Sequence, residues 1–357
     1  MRIGIDAREL CGRATGAGRY LGGLLEAWAA DDRTRAHSFV LYAPESLAIR
    51  LDARRFPTRL VPRAHGVWWE QVRLPRAAAT DHLDAFFSPA YSAPLALNVP
   101  TVIAIHDVSF VAHPEWFTTR EGLRRRWLTR HSASHARAIV TISEFSRGEL
   151  IERLGVPAGR VHVVPPGISP STPSRSTDDD PRVLFVGSIF NRRRVPDLIR
   201  AFAAVARRHP AVSLDIVGDN RSYPREDLAR AIAAEQIGDR ARCRSFVPDA
   251  ELKDLYGRAR AFVFLSEYEG LGLTPLEALA AGAPPVLADT PVARESCGDA
   301  ALYVPIDDVP AAAGAIERAL FDATTRARVL AAAPQTLAKY DWPRAARDTL
   351  SVLEGIR

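Results

Sequence analysis

Lysine is almost missing from this chain: of its 47 basic residues only Lys253 and Lys339 are lysine, a bias we read as genomic base composition rather than chemistry. Cysteine is also scarce. Cys11, Cys243 and Cys297 are odd in number and far apart, with no Cys-x-x-Cys spacing, which excludes a disulfide scaffold and the common zinc and redox motifs and suits a reducing cytosol. No run of about 18 apolar residues could cross a bilayer, and Met1-Arg2-Ile3-Gly4-Ile5-Asp6 begins directly as a strand rather than a signal peptide. A cytoplasmic protein is expected. Zinc fingers, an RNA-recognition signature and a dense basic stripe are lacking too, so nucleic acid is not an expected partner.

What is present describes an ordinary globular chain. Its 357 residues exceed the roughly 100–200 of one domain, and 47% hydrophobic with 25% charged residues argues against extended disorder. The net charge of +5 is uneven: residues 1–173 hold 22 basic against 16 acidic residues (+6), and residues 174–357 hold 25 against 26 (−1). Solvated arginines, or an anionic partner such as a membrane surface, account for that excess.

Short apolar runs alternate with helical-period segments, the pattern of parallel βαβ units whose strands are buried on both faces. Strands are expected at 2–5, 39–42, 85–87, 101–105, 138–142 and 161–164, then at 182–186, 213–217, 261–265, 285–288 and 302–304. The polar, proline-rich stretch Ser169–Pro181 reads as a linker, and its Asp178-Asp179-Asp180 run as solvated rather than metal-binding. The expected division is an α/β domain over 1–170, a linker over 171–181, a second α/β domain over 182–340, and a final helix over 341–357 that Asp341 caps.

Ligands of open parallel sheets bind beyond the carboxyl ends of the strands, so the residues after each strand carry the site candidates. After the first strand come Thr15-Gly16-Ala17-Gly18-Arg19-Tyr20, read as a glycine loop leading into a helix at 21–30; a plain flexible loop explains it equally well, because the dinucleotide fingerprint is not met. His106-Asp107 follows the 101–105 strand, either as a buried histidine with a capping aspartate or as a donor facing a ligand. Gly187 to Arg194 brings consecutive arginines into a strand-to-helix loop, where Arg192 and Arg193 clamp a phosphate or merely face solvent. The richest element is Glu269-Gly270-Leu271-Gly272-Leu273-Thr274-Pro275-Leu276-Glu277, a glycine turn feeding a helix whose free amides suit a diphosphate. Glu277 has a structural alternative, since Thr274-x-x-Glu277 is a capping box; Glu269 has none.

Two glutamates framed in this way resemble the hallmark of retaining glycosyltransferases of family 4, with Leu271 where that family places an aromatic residue. The likeness extends through Gly16-x-Gly18-Arg19-Tyr20, His106-Asp107, Ile142-Ser143-Glu144-Phe145-Ser146, Val164-Pro165-Pro166-Gly167, Gly187 to Arg194, Gly218-Asp219 and the Trp342 helix. It implies the GT-B fold: two Rossmann-like α/β domains facing each other across a cleft, with the C-terminal helix returning to the first. It further implies that Glu277 holds the ribose, that Glu269 and the Gly270–Leu273 amides with Thr274 hold the sugar and distal phosphate, and that Arg192 and Arg193 neutralise the diphosphate beside Gly187. His106 is implied beside the transferring sugar, with Gly16 and Gly18 closing on phosphates and Arg19, Tyr20 and Asp107 on the acceptor side. No metal and no cofactor are implied beyond the nucleotide sugar itself. Arg193 stands where the family usually has lysine.

The expected reaction is retaining hexosyl transfer to a saccharide or lipid-linked acceptor, as in bacterial mannosyltransferases of surface polysaccharide or lipid-linked sugar synthesis. GDP-mannose is the first donor, and UDP-glucose, UDP-N-acetylglucosamine and dTDP-rhamnose are open. The rivals are a non-catalytic nucleotide-sugar-binding protein and another GT-B enzyme, an epimerase or a phosphorylase; neither lysine sits in a motif that would hold a phosphorylase's pyridoxal group. Weak peripheral contact with anionic lipid is expected from Arg124-Arg125-Arg126-Trp127-Leu128-Thr129-Arg130-His131 and from Trp68-Trp69 between Arg63 and Arg73, unless Trp127 packs into the core.

Overall fold

The computed structural model describes the chain apart from residues 13–15, 63–65, 170–180 and 357. Thr15, Arg63 and nearly all of the expected linker, with its aspartate run, thus lie outside the described residues.

Seven strands build the first sheet: β1 Arg2–Asp6, β2 Ser38–Ala43, β3 Thr58–Leu60, β4 Ala85–Ser88, β5 Thr101–Ala104, β6 Ala138–Thr141 and β7 Val161–Val163. Six build the second: β8 Arg182–Val186, β9 Ser213–Val217, β10 Ala241–Arg244, β11 Ala261–Phe264, β12 Pro285–Ala288 and β13 Leu302–Val304. Their orders are β3-β2-β1-β4-β5-β6-β7 and β10-β9-β8-β11-β12-β13, and every pairing is parallel. All eleven expected strands form, with ends shifted by at most one residue. The two unforeseen ones, β3 and β10, are edge strands. An edge strand is not covered on both sides, so Thr-Arg-Leu and Ala-Arg-Cys-Arg carry no apolar run, whereas Ala-Phe-Phe-Ser of β4 and Ala-Phe-Val-Phe of β11 are buried throughout.

The chain divides into two compact units: Met1–Ala112, Thr119–Gly167 and Tyr340–Arg357 form one, His113–Thr118 and Ile168–Lys339 the other. Six residues lying between β5 and β6 in sequence thus belong to the second unit. In the first unit the helix Trp342–Gly355 begins at Asp341, whose carboxylate accepts from the Arg344 amide at 2.8 Å. Trp342 lies flat against the backbone of Gly23 and Gly167, where a Cβ would fall 2.5 Å and 2.3 Å from the indole. Trp28 Nε1 donates to the Ala346 carbonyl at 2.8 Å, which fastens this helix to Gly16–Ala30.

Candidate functional site

In the second unit the loops after β8 and β11 lie side by side, because their strands are neighbours in the sheet. Gly187 leaves β8 with φ near +145°, and a Cβ there would collide with Arg193 Nη1. A short turn, Asn191–Arg193, and Arg194 in the left-handed region (φ 50°) then lead into the helix Val195–Arg208. The Glu267 amide donates to the Arg192 carbonyl at 2.9 Å, tying the two loops together.

Across that tie stand two guanidinium groups and one carboxylate. Arg193 Nε donates to Glu269 Oε1 at 2.8 Å and Nη2 to Oε2 at 3.3 Å, a bidentate fork, while Nη1 donates to the Ser188 carbonyl at 2.7 Å. Ser266 Oγ adds a donor to Glu269 at 2.9 Å. Burial acts to raise the Glu269 carboxyl, but Arg193 and Arg192 outweigh it and hold the group below its ordinary value. Arg192 is only 7% exposed, its Nε lies 3.9 Å from Glu269, and that N–H has no hydrogen-bond partner. Two cations share one anion, so this cluster of three side chains carries one positive charge in excess. Neither arginine is a solvated surface residue.

The β11 loop ends at Gly272, left-handed with φ near +91°, and the helix Leu273–Ala280 starts there. Its start corrects the capping-box expectation. Gly272 occupies the cap, Thr274 is the helix's second residue, and no side chain caps the end. Glu277 is instead held by Tyr256, whose hydroxyl donates to Oε2 at 2.8 Å. The structure so brings Gly187, Arg192, Arg193, Glu269 and the Gly270–Thr274 turn together, with Glu277 one turn into the helix.

The remaining candidates are in the first unit. His106 and Asp107 follow β5. Asp107 Oδ1 accepts from the Ser109 amide and hydroxyl at 2.9 Å and 2.7 Å, capping the turn Ser109–Ala112, and Oδ2 accepts from Tyr91 at 3.2 Å. Burial pushes the His106 imidazole down to about 4, against the pull of Asp107, so the ring is neutral at pH 7. Its Nε2 is buried without a hydrogen-bond partner, and the ring meets Tyr20 edge-on at 4.5 Å. Ser146, behind the Ser143 cap of Glu144–Leu154, donates to the His106 carbonyl at 2.8 Å, which explains the Ser-x-x-Ser spacing.

The expected glycine loop is a helix. Gly16, Gly18, Arg19 and Tyr20 all belong to Gly16–Ala30; Gly18 and Tyr20 are buried, and Arg19 is exposed. Sequence reading placed the helix start five residues late because glycines weaken helix propensity, a cost that packing offsets here. It also missed a buried charge cluster at the end of β1. Arg8 Nη2 donates to Glu70 at 2.8 Å, its Nε lies 3.3 Å from Asp6, and Ser92 donates to Glu70 at 2.5 Å. Burial pushes the Asp6 carboxyl up to about 6. Residues as far apart in the chain as Asp6 and Glu70 give no local signal.

On the helix Thr119–His135, Trp127 is 57% and Leu123 56% exposed, one turn apart, with Arg120, Arg124 and Arg130 exposed beside them. The alternative, that Trp127 packs into the core, is therefore overturned. Trp68 is likewise exposed, whereas Trp69 is buried and donates to the Val61 carbonyl at 2.9 Å. Among the described residues no helix is long and apolar enough to cross a membrane, and no group of three or more His, Cys, Asp or Glu is placed to hold a metal ion.

Comparison with known proteins adds to this geometry. Residues 14–172 match the family described as Glycosyltransferase Family 4, and residues 171–336 that described as Glycosyl transferases group 1. The chain is 29% identical to O-antigen chain mannosyltransferase B of Escherichia coli over 70% of its own length and 69% of the relative's. It is 30% identical to alpha-D-kanosaminyltransferase of Streptomyces kanamyceticus, over 68% and 67%. Its fold is that of Anabaena Alr3699/HepE, solved in complex with UDP and glucose: TM-score 0.78 at 18% identity, covering 99% of this chain and 100% of the other. The two Rossmann-like units are the GT-B architecture.

Proposed function

The chain belongs to Glycosyltransferase Family 4, and from that premise we propose that it moves a hexose from a nucleotide diphosphate sugar, GDP-mannose first among the candidates, to a saccharide or lipid-linked acceptor, with retention at the anomeric carbon and without a metal ion. One observation carries the reading: Arg192 and Arg193 share the single carboxylate of Glu269 beside the amino end of Leu273–Ala280. That surplus charge suits a diphosphate.

The chemistry follows from charge. When the bond between sugar and phosphate breaks, its electron pair goes to the diphosphate oxygen and positive charge develops on the anomeric carbon. Arg192, Arg193 and the first-turn amides, which no side chain caps, stabilise the departing anion. A diphosphate competes with Glu269 for Arg193; once it binds, Glu269 turns its acceptor oxygens to the sugar hydroxyls. The acceptor oxygen then bonds to the anomeric carbon on the face the phosphate leaves, and its proton passes to the phosphate oxygen. His106, neutral at pH 7, serves a sugar hydroxyl as donor or acceptor rather than as a charge, and Glu277, steadied by Tyr256, serves the ribose. Mannose as the sugar is supported by the mannosyltransferase relative.

On the acceptor side, the exposed Leu123 and Trp127 among Arg120, Arg124 and Arg130 support a weak peripheral contact with anionic lipid, which suits a lipid-linked acceptor.

Thermal stabilisation by GDP-mannose, UDP-glucose, UDP-N-acetylglucosamine and dTDP-rhamnose tests the donor, since a ligand at 100 times its Kd adds about 2.7 kcal/mol to native stability. Turnover in chelator, with the product's anomeric configuration read by NMR, tests the reaction. If none of the four stabilises the protein, the donor reading fails. Binding without transfer to any saccharide or lipid-linked acceptor would leave the non-catalytic alternative standing, and an inverted product or an absolute need for divalent metal would overturn the mechanism.

A further inference from the structure

Arg192 is an unusual cation: 7% exposed, its Nε–H unpartnered, and its nearest carboxylate, Glu269 at 3.9 Å, already engaged by Arg193 and Ser266. A buried guanidinium so poorly paired is costly, and something other than a carboxylate must hold it in place. Aromatic faces do so. The guanidinium carbon lies 4.5 Å from the Phe190 ring centroid and 6.0 Å from that of Trp116.

Phe190 comes from the arginine loop itself, but Trp116 comes from His113–Thr118, the six residues that join the second unit from within the sequence of the first. Their seat is well defined. His113 stacks on Trp116 with centroids 3.9 Å apart and planes 14° from parallel, and the buried Tyr268 stands edge-on to both, at 5.4 Å and 6.3 Å. Tyr268 immediately precedes Glu269. Trp116 therefore lies against Arg192 on one side and against the neighbour of Glu269 on the other.

We propose that Trp116 is a positioning residue of the donor site: it holds the Arg192 guanidinium where a diphosphate meets it, so that a segment from the first half of the sequence completes phosphate recognition in the second unit. This rests on the reading of Arg192 as a diphosphate ligand given above. Trp116 itself touches no phosphate; its face both attracts the cation and excludes the water that would compete for it.

The test is a calorimetric titration of GDP, UDP, guanosine and uridine into the full chain, as parent, Trp116→Leu, Trp116→Phe, Arg192→Gln and the Arg192→Gln/Trp116→Leu double variant. Trp116→Leu is expected to weaken the better-bound diphosphate about 3- to 30-fold, the span of a desolvated cation–π contact, with affinity for its nucleoside unchanged. Trp116→Phe should restore most of that loss, and in the Arg192→Gln background Trp116→Leu should add nothing. Equal weakening of nucleoside and diphosphate, or an undiminished effect in the Arg192→Gln background, overturns the proposal. So does loss of diphosphate affinity in Arg192→Gln with none in Trp116→Leu. Should Arg192→Gln leave diphosphate affinity intact, the reading of Arg192 falls first and the role of Trp116 with it. If Trp116→Leu unfolds, Trp116→Phe and Tyr268→Leu carry the same comparison.

Discussion

Replacing Glu269 by glutamine separates its two roles, counter-ion of the arginines and partner of the sugar. The amide keeps one acceptor oxygen, so one bond from Arg193 or Ser266 survives while the fork is lost. Removing one member of a buried pair costs about 3–5 kcal/mol, and a hydrogen bond to a charged group about 1.5–3 kcal/mol. With an acceptor retained and the side chain 15% exposed, a loss of about 2 kcal/mol is expected. With an unfolding entropy of about 2.1 cal/mol/K per residue over 357 residues, that lowers Tm by roughly 3 °C.

The difference should depend on pH. The folded Glu269 carboxyl lies below its unfolded value, so its contribution is full above the ordinary carboxylate range and is lost as pH falls through the folded pKa. Parent and variant should converge in acid. Transfer should drop about 10²- to 10³-fold, yet GDP or UDP should bind no more weakly, because the diphosphate no longer competes with a carboxylate for Arg193. Calorimetry, a chemical melt at two pH values and a transfer assay report the three quantities. Full activity, or diphosphate affinity that falls together with activity, would refute the reasoning.

Glu277→Ala should weaken nucleotide binding and, through the lost Tyr256 bond, cost about 1 kcal/mol, with no helix cap lost; a large stability loss with unchanged affinity would contradict this. Arg193→Ala should lower affinity for nucleoside diphosphate far more than for nucleoside, in chelator as in its absence, and equal affinities would count against it. Because the folded His106 is depressed to about 4 from 6.5, its protonation opposes folding: the parent should lose stability relative to His106→Asn as pH falls from about 6.5 to 4, and a histidine-like inflection of kcat/KM near 6.5 that vanishes in the variant would show the ring to be ordinary. Co-sedimentation with anionic liposomes should decline in high salt and in Trp127→Ser, and binding that is absent or indifferent to lipid charge would favour a soluble acceptor.

Much of the fold is legible in the apolar runs, because a strand covered on both faces must be apolar whatever surrounds it. β3 and β10 escaped for the converse reason: at the sheet edges, two residues of each strand are exposed to solvent. Spacing also located Glu269, the arginine pair and the Asp341 cap, since a turn and the helix it feeds are local. Gly16 to Tyr20 misled because glycine signals a loop by propensity, and only the packing of Gly23 on Trp342, with Trp28 bonded to Ala346, makes a helix pay there.

Taken alone, the sequence determined two parallel α/β units and the cations and carboxylates that follow their strands, all of them consequences of periodicity and short-range spacing. Tertiary structure decided the partnerships: that Glu269 belongs to Arg193, that Arg192 lies buried against Phe190 and Trp116, that Glu277 answers Tyr256 rather than its own helix end, and that Trp127 faces outward. The physical reason is range. A charge or a ring chooses its partner by distance in space, and Trp116 and Arg192, 76 residues apart in the chain, become neighbours only when the second unit has folded around the segment that carries the tryptophan.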